Sequence, residues 1–186
     1  MTCTLIFGGA RSGKSAYAEQ LATTSGKEVI YVATAHAGDG EMSARIAQHR
    51  IRRDPAWKTM EEPISLGALI ERESGPERVI LIDCLTLWLS NLLFSENREF
   101  PEVGEVPAPA CFHEERAQLL AALEQAKGNV ILVSNEVGMG IVPQGAVSRW
   151  FVDESGRLNQ AVAARCQRVA WVAAGLPLYL KGSHAG

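Results

Sequence analysis

The run Thr4-Leu5-Ile6-Phe7-Gly8-Gly9-Ala10-Arg11-Ser12-Gly13-Lys14-Ser15-Ala16-Tyr17-Ala18-Glu19-Gln20-Leu21 decides how this chain folds. Gly8, Gly13, Lys14 and Ser15 fit G-x-x-x-x-G-K-[ST], the pattern of a phosphate-binding loop. Small residues let successive backbone N–H groups curl around a phosphate without a Cβ in the way. In that pattern the lysine reaches the β- and γ-phosphates and the following hydroxyl can hold Mg²⁺. The context agrees. Leu5, Ile6 and Phe7 read as a buried strand, and Ala16 to Ala22 are mostly good helix formers. A helix starting near Gly13 adds unpaired N–H groups and the positive end of its dipole.

Outward from this unit, four more apolar runs read as parallel-type strands or their equivalents: Glu28 to Thr34, Arg78 to Asp83, Asn129 to Ser134, and Arg168 to Ala173. The sequence between successive runs accommodates crossover helices, which are expected at 65–73, 85–94, 113–127, 144–152 and 155–166. Pro177 to Lys181 follows the last run too closely for a crossover helix, so it is expected to pair antiparallel. Ala33-Thr34-Ala35 falls at a strand's C-terminal end, the edge where open parallel sheets bind ligands. Asp83 ends another strand. There a carboxylate can orient Mg²⁺ or its water, or cap the helix that follows; the two roles are compatible. Glu136 ends a fourth strand, with Gly138 and Gly140 just beyond. Trp57 to Pro63 reads as an extended connection.

Composition narrows the classes. The chain has 186 residues, 47% hydrophobic and 21% charged, which fits one globular domain spanning 1–186. A net charge of −3 gives no overall pull toward nucleic acid or anionic membrane. The apolar runs fall short of the ~18 residues a membrane span needs, and the first residues read as a strand rather than a leader. The four cysteines, Cys3, Cys84, Cys111 and Cys166, form no C-x-x-C and read as reduced thiols of a cytoplasmic protein.

Two stretches stand apart. Glu41 to about Arg53 reads as a polar helix with Glu41, Arg45, His49 and Arg52 on one stripe. It is either a solvated face or the wall of an anionic site. Residues 95–111 carry Glu96, Glu99, Glu102 and Glu105 with Pro101, Pro107 and Pro109. They are expected to form a long, partly mobile loop, either a lid or a tolerated insertion.

Gly8 to Ser15, Arg45-Ile46-Ala47-Gln48-His49-Arg50, Asn135 to Pro143, and Gly156-Arg157-Leu158-Asn159-Gln160 occur in that order. Together they resemble the bifunctional adenosylcobinamide kinase and adenosylcobinamide-phosphate guanylyltransferase family of cobalamin biosynthesis, from the first strand to the last. The resemblance implies an α/β fold: a three-layer, RecA-like phosphate-loop NTPase with a mostly parallel central sheet and one antiparallel C-terminal strand. It implies that ATP or GTP phosphorylates adenosylcobinamide, and that GMP then passes from GTP to the new phosphate through a GMP–histidine intermediate. The matching histidine is His49. Nucleotide contacts are implied for Gly8, Gly9, Ala10, Arg11, Ser12, Gly13, Lys14 and Ser15, for Ala33, Thr34 and Ala35, for Arg50, Ile51, Arg52 and Arg53, and for Glu61 and Asp83, with Ser15 on Mg²⁺ through the nucleotide. Nucleotide and corrinoid are the implied small-molecule partners, with no nucleic acid, and a homotrimer is the implied assembly. Neutral imidazole is a fair nucleophile near neutral pH.

Two other readings compete. A simple phosphate-loop kinase for another small alcohol would use Lys14, Ser15 and Asp83 but not His49. A RecA-like nucleotide-gated binding module would want a basic stripe with interleaved aromatics, and the sequence has none.

Overall fold

The structure, a computed structural model, describes residues 2–35, 54–96 and 99–183. The described residues form a seven-stranded sheet in the order β3-β2-β4-β5-β1-β6-β7. Its strands are β1 (Cys3–Gly8), β2 (Glu28–Ala33), β3 (Lys58–Glu61), β4 (Arg78–Asp83), β5 (Asn129–Asn135), β6 (Arg168–Ala173) and β7 (Leu176–Lys181). Every neighbouring pair is parallel except β6 and β7. The helices are α1 (Lys14–Thr24), α2 (Leu66–Glu73), α3 (Leu85–Leu93), α4 (Phe112–Gln125) and α5 (Ala146–Arg165).

Apolar runs without alternation bury both faces of the sheet, as parallel strands do. On one face Ile6, Tyr31, Leu81 and Val133 pack with Tyr17 and Ala18 of α1. On the other, Leu5, Ile30, Ile80 and Leu132 pack with Leu69 of α2, Trp88 of α3, Leu123 of α4 and Leu158 of α5. Two helices touch closely at Gly67, where a Cβ would come within 2.7 Å of the Gln118 carbonyl carbon.

Three expectations change. Trp57 to Pro63 is more than a connection: Lys58–Glu61 pairs in parallel with β2 and forms the sheet edge. Its charged, mostly exposed residues hid it, since edge strands carry charge where buried strands do not. The two helices expected at 144–152 and 155–166 are one helix of 20 residues. Asp153, Glu154, Ser155 and Gly156 looked like a break, but Glu154 is buried and pairs with Arg157 and Arg116, so its charge is compensated inside the helix's packing. Cys3 and Cys166, expected as separate thiols, come together at the sheet's N-terminal end as a disulfide with Cα atoms 4.5 Å apart; Cys84 and Cys111 are free.

Of the 95–111 stretch, Val106 is buried with Ala146 and against Trp150. Glu102 accepts the Ala146 N–H at 3.2 Å, and Phe94 and Phe100 meet edge to face. No described helix is long and apolar enough to cross a membrane.

Candidate active site

The strand tips at the C-terminal edge gather the polar residues. β1 ends at Gly8, and the chain turns through Arg11 (φ 56°) and Gly13 (φ 95°) into α1. Gly8 has to be glycine on steric grounds: a Cβ would sit 2.3 Å from the Val172 carbonyl oxygen. Gly13 is fixed twice, by its left-handed backbone and by Gly175 Cα, which a Cβ would approach to 2.9 Å.

The loop is braced from both sides. The Ser12 N–H donates to the Gly9 carbonyl at 3.2 Å, and the Gly175 N–H donates to the Ser12 carbonyl at 2.8 Å. Gly175 belongs to the two-residue turn Ala174-Gly175 between β6 and β7, where both residues have positive φ, the turn that suits a tight hairpin. On the other side the Glu136 N–H donates to the Gly8 carbonyl at 3.0 Å. The sequence pointed to neither brace, because both are tertiary contacts to backbone carbonyls.

Lys14 is 8% exposed, and its ammonium donates to the Gly9 carbonyl at 3.1 Å. Burial pushes its pKa below the ordinary lysine value, while the neighbouring Asp83 charge opposes that shift. Ser12 is also buried, and its Oγ has no hydrogen-bond partner among the described residues. A buried cation and an unpaired hydroxyl in one glycine loop form a site short of an anion.

Facing the loop, β4 ends at Asp83, whose carboxylate accepts a hydrogen bond from the Tyr31 hydroxyl at 3.1 Å. Asp83 is not the cap of α3. That position belongs to Cys84, and no side chain caps the helix. Burial, then the Asp83 charge, pushes the Cys84 thiol up to about 11, so it stays protonated and unreactive at neutral pH. Thr34 fastens the tip of β2 to that of β4. Its hydroxyl donates to the Cys84 carbonyl and accepts from the Cys84 N–H, both at 2.8 Å. Asn91 of α3 holds the Thr34 carbonyl at 2.7 Å. Ala33 pairs with Asp83 on one side and Glu61 on the other.

Of the residues singled out from the sequence, the structure brings Gly8–Ser15, Ala33, Thr34, Ala35, Glu61 and Asp83 to one edge. His49, Arg50, Ile51, Arg52 and Arg53, with the helix expected around them, lie outside the described residues. The residues sequence reasoning missed are Tyr31, Thr86 of α3, whose Oγ1 accepts the Asn135 N–H at 2.7 Å, and the Ala174-Gly175 turn. Tyr31 carried the one usable signal, since a hydroxyl in a buried strand needs a partner.

The donor set suits a nucleotide-borne cation. Ser15 offers a hydroxyl at the start of α1 and Asp83 a carboxylate across from it. Magnesium takes one or two such protein oxygens and completes its shell with phosphate and water. Among the described residues no three His, Cys, Asp or Glu side chains gather as a protein-only cage.

Residues 4–180 match the family model described as "CobU: Cobinamide kinase / cobinamide phosphate guanyltransferase". The bifunctional adenosylcobalamin biosynthesis protein CobP of Pseudomonas aeruginosa is 52% identical over 178 residues, covering 96% of each chain. The bifunctional adenosylcobalamin biosynthesis protein CobU of Escherichia coli K12 is 40% identical over 179 residues, covering 95% of this chain and 98% of that one. Among solved structures, the ATP synthase subunit NeqB from Nanoarcheaum equitans aligns with TM-score 0.54 at 12% identity, over 92% of this chain and 47% of that one. The ATPase EscN of the enteropathogenic E. coli type III secretion system aligns with TM-score 0.53 at 12% identity, over 93% of this chain and 43% of that one. These two likenesses concern the fold alone.

Proposed function

The chain belongs to the cobinamide kinase / cobinamide phosphate guanylyltransferase family, and we propose that its one phosphate loop serves both of that family's reactions. In the first, the aminopropanol hydroxyl oxygen of adenosylcobinamide attacks the γ-phosphorus of ATP or GTP. The bond from that phosphorus to the β,γ-bridging oxygen breaks, the hydroxyl loses its proton, and a nucleoside diphosphate leaves. In the second, His49 attacks the α-phosphorus of GTP and pyrophosphate leaves. The phosphate of adenosylcobinamide phosphate then displaces the imidazole, giving adenosylcobinamide-GDP and free His49.

One observation carries the reading: Lys14, buried and charged at the mouth of a loop short of an anion, opposite Asp83. Gly8 to Ser15 hold the phosphates through their N–H groups, Lys14 and Ser15 contribute side chains, and Ala33–Ala35, Glu61 and Arg50–Arg53 line the nucleotide. Mg²⁺, held by Ser15 and Asp83, would neutralise phosphate charge when bound. Met139, Ile141 and Val142, all well exposed just beyond Glu136, suit a bulky acceptor such as a corrinoid. A homotrimer and a cytoplasmic location complete the proposal.

The test is incubation with GTP labelled at the α-phosphate plus Mg²⁺, followed by acid treatment and mass mapping. An acid-labile, base-stable GMP adduct should form on His49 and vanish in His49→Ala, which keeps kinase activity at least in part. An adduct that survives in the variant, or maps elsewhere, overturns the assignment and favours the simple kinase. Absence of any adduct in the unaltered chain has the same consequence.

A further inference from the structure

Two motifs have no role in the reactions above: Asn135-Glu136 at the tip of β5 and Gly156–Gln160 on α5. The structure joins them. β5 lies between the loop strand β1 and the Asp83 strand β4. Its register pairs Val133 with Asp83 and Asn135 with Gly8, so β5 runs two residues past the end of β4. Strand alternation puts Asn135 on the same face as Ile131 and Val133, which is the face that Tyr17 and Ala18 of α1 cover. Asn135 therefore overhangs the gap between the phosphate loop and Asp83.

The backbone of Asn135 is clamped there. Its N–H donates to Thr86 Oγ1 at 2.7 Å, and its carbonyl accepts from Asn159 Nδ2 at 3.5 Å. Glu136, the next residue, is tied to Gly8. Helices α3 and α5 and strand β1 thus fix one residue at the end of a strand. Yet the carboxamide they fix meets only Cys84 Sγ, at 4.0 Å, among the described residues. A thiol is a poor acceptor, and a neutral amide has two N–H groups to give. On the Asn159 side, Oδ1 is buried without a partner, so Asn159 accepts a cost in order to hold the Asn135 carbonyl.

We infer that Asn135 donates its carboxamide N–H to the γ-phosphoryl group of the bound triphosphate, and that Asn159 is the positioning residue that aims it. This rests on the reading that the loop holds a nucleoside triphosphate. The loop's N–H groups surround the β-phosphate, so a further phosphate directed toward Asp83 passes beneath the tip of β5. A neutral donor there adds nothing to a diphosphate and lets the site tell triphosphate from diphosphate, which drives product release in the kinase step.

The test measures binding of fluorescent GDP and of the fluorescent β,γ-imido analogue of GTP, both with Mg²⁺, to the full chain and its variants. Asn135→Ala should weaken the imido analogue about tenfold or more and leave GDP within about twofold. Asn135→Asp keeps the shape, removes the donor and adds a negative charge, so its loss should be larger and equally confined to the triphosphate. Asn159→Ala should shift the ratio the same way but less, and the double variant should be no worse than Asn135→Ala alone, because both act on one contact. Equal loss for both nucleotides, or none, overturns the assignment of Asn135. Additive losses overturn the positioning role of Asn159. Should Asn135→Ala not fold, Asn135→Asp and Asn159→Ala carry the same triphosphate-to-diphosphate readout. If the unaltered chain binds neither nucleotide, the triphosphate reading itself fails; if it binds both and the variants match it, only this inference does.

Discussion

Lys14→Met separates what the phosphate loop does for its ligand from what it does for the fold. In the free protein Lys14 is 8% exposed, and among the described residues its ammonium donates to a neutral carbonyl at 3.1 Å. A hydrogen bond from a charged group contributes roughly 1.5–3 kcal/mol, and partial burial of the charge costs a similar few kcal/mol. The two nearly cancel. Methionine keeps most of the apolar stem that packs in the loop. The free variant should therefore melt within about 4 °C of the parent, since ~1 kcal/mol moves a chain of this size by about 2–4 °C. Phosphoryl transfer should respond quite differently. Removing a preorganised charge from a water-poor site costs about 3–4 kcal/mol, or roughly 10²–10³ in rate. The pH dependence gives an independent check. Burial holds the Lys14 pKa below the ordinary 10.5. Between the lowered value and 10.5 the unfolded chain binds more protons than the folded one, so stability of the free protein rises with pH across that window. Lys14→Met should remove that rise. Thermal melts of the ligand-free chain against pH, beside steady-state transfer assays, read all three quantities. A drop of about 10 °C in the free variant, or transfer within tenfold of the parent, would refute the reasoning.

Asp83→Asn keeps an acceptor for the Tyr31 hydroxyl and removes the charge; transfer should fall about a hundredfold with melting nearly unchanged, and retained transfer would remove Asp83 from the site. Gly175→Ala places a Cβ in open space at φ +78°, so its cost is backbone strain of about 1–2 kcal/mol. Nucleotide affinity, measured by the fluorescent GDP titration, should drop as well, because the Gly175 N–H braces the Ser12 carbonyl. Gly26→Ala, equally strained at φ +67° but at the far end of α1, should lose similar stability and no affinity; equal affinity for Gly175→Ala and Gly26→Ala would show that the brace does nothing.

What the sequence made legible follows from how local each signal is. The phosphate loop could be read because strand, glycines and helix are contiguous, and the structure repeats that order between Cys3 and Thr24. The buried strands could be read because burial on both faces demands unbroken apolar runs. β3 could not, because Lys58–Glu61 is short and charged and owes its strand character to β2. The single long α5 could not, because the partner that neutralises Glu154 from α4, Arg116, is 38 positions away in the chain. The capping reading of Asp83 fell only when the cap of α3 proved to be Cys84, and its role toward a nucleotide-borne cation stays a proposal. His49 and its arginines stay expectations from resemblance, since they lie outside the described residues.

The distribution of strain across the sheet explains why one edge serves chemistry and the other does not. At the N-terminal edge the β1 backbone is paired by its neighbour: the Gln167 carboxamide accepts the Cys3 N–H at 2.7 Å, and the Gln167 N–H reaches the Cys3 carbonyl at 3.0 Å. At the C-terminal edge the costs accumulate within one loop's reach. Arg11 sits at positive φ, Lys14 is buried as a charge, and Ser12 Oγ and Asn159 Oδ1 are buried without partners. Packing relieves none of these; an anionic ligand would pair Lys14 and Ser12 Oγ, the Asn159 cost is that of holding the Asn135 carbonyl, and Arg11 holds the turn that admits the ligand. The tertiary braces from Gly175, Glu136, Thr34 and Asn91 are what keep the edge from relaxing those costs away in the free protein. A loop held open against its own preference has its binding geometry set before the nucleotide arrives, so the ligand's binding energy is not consumed in building the site.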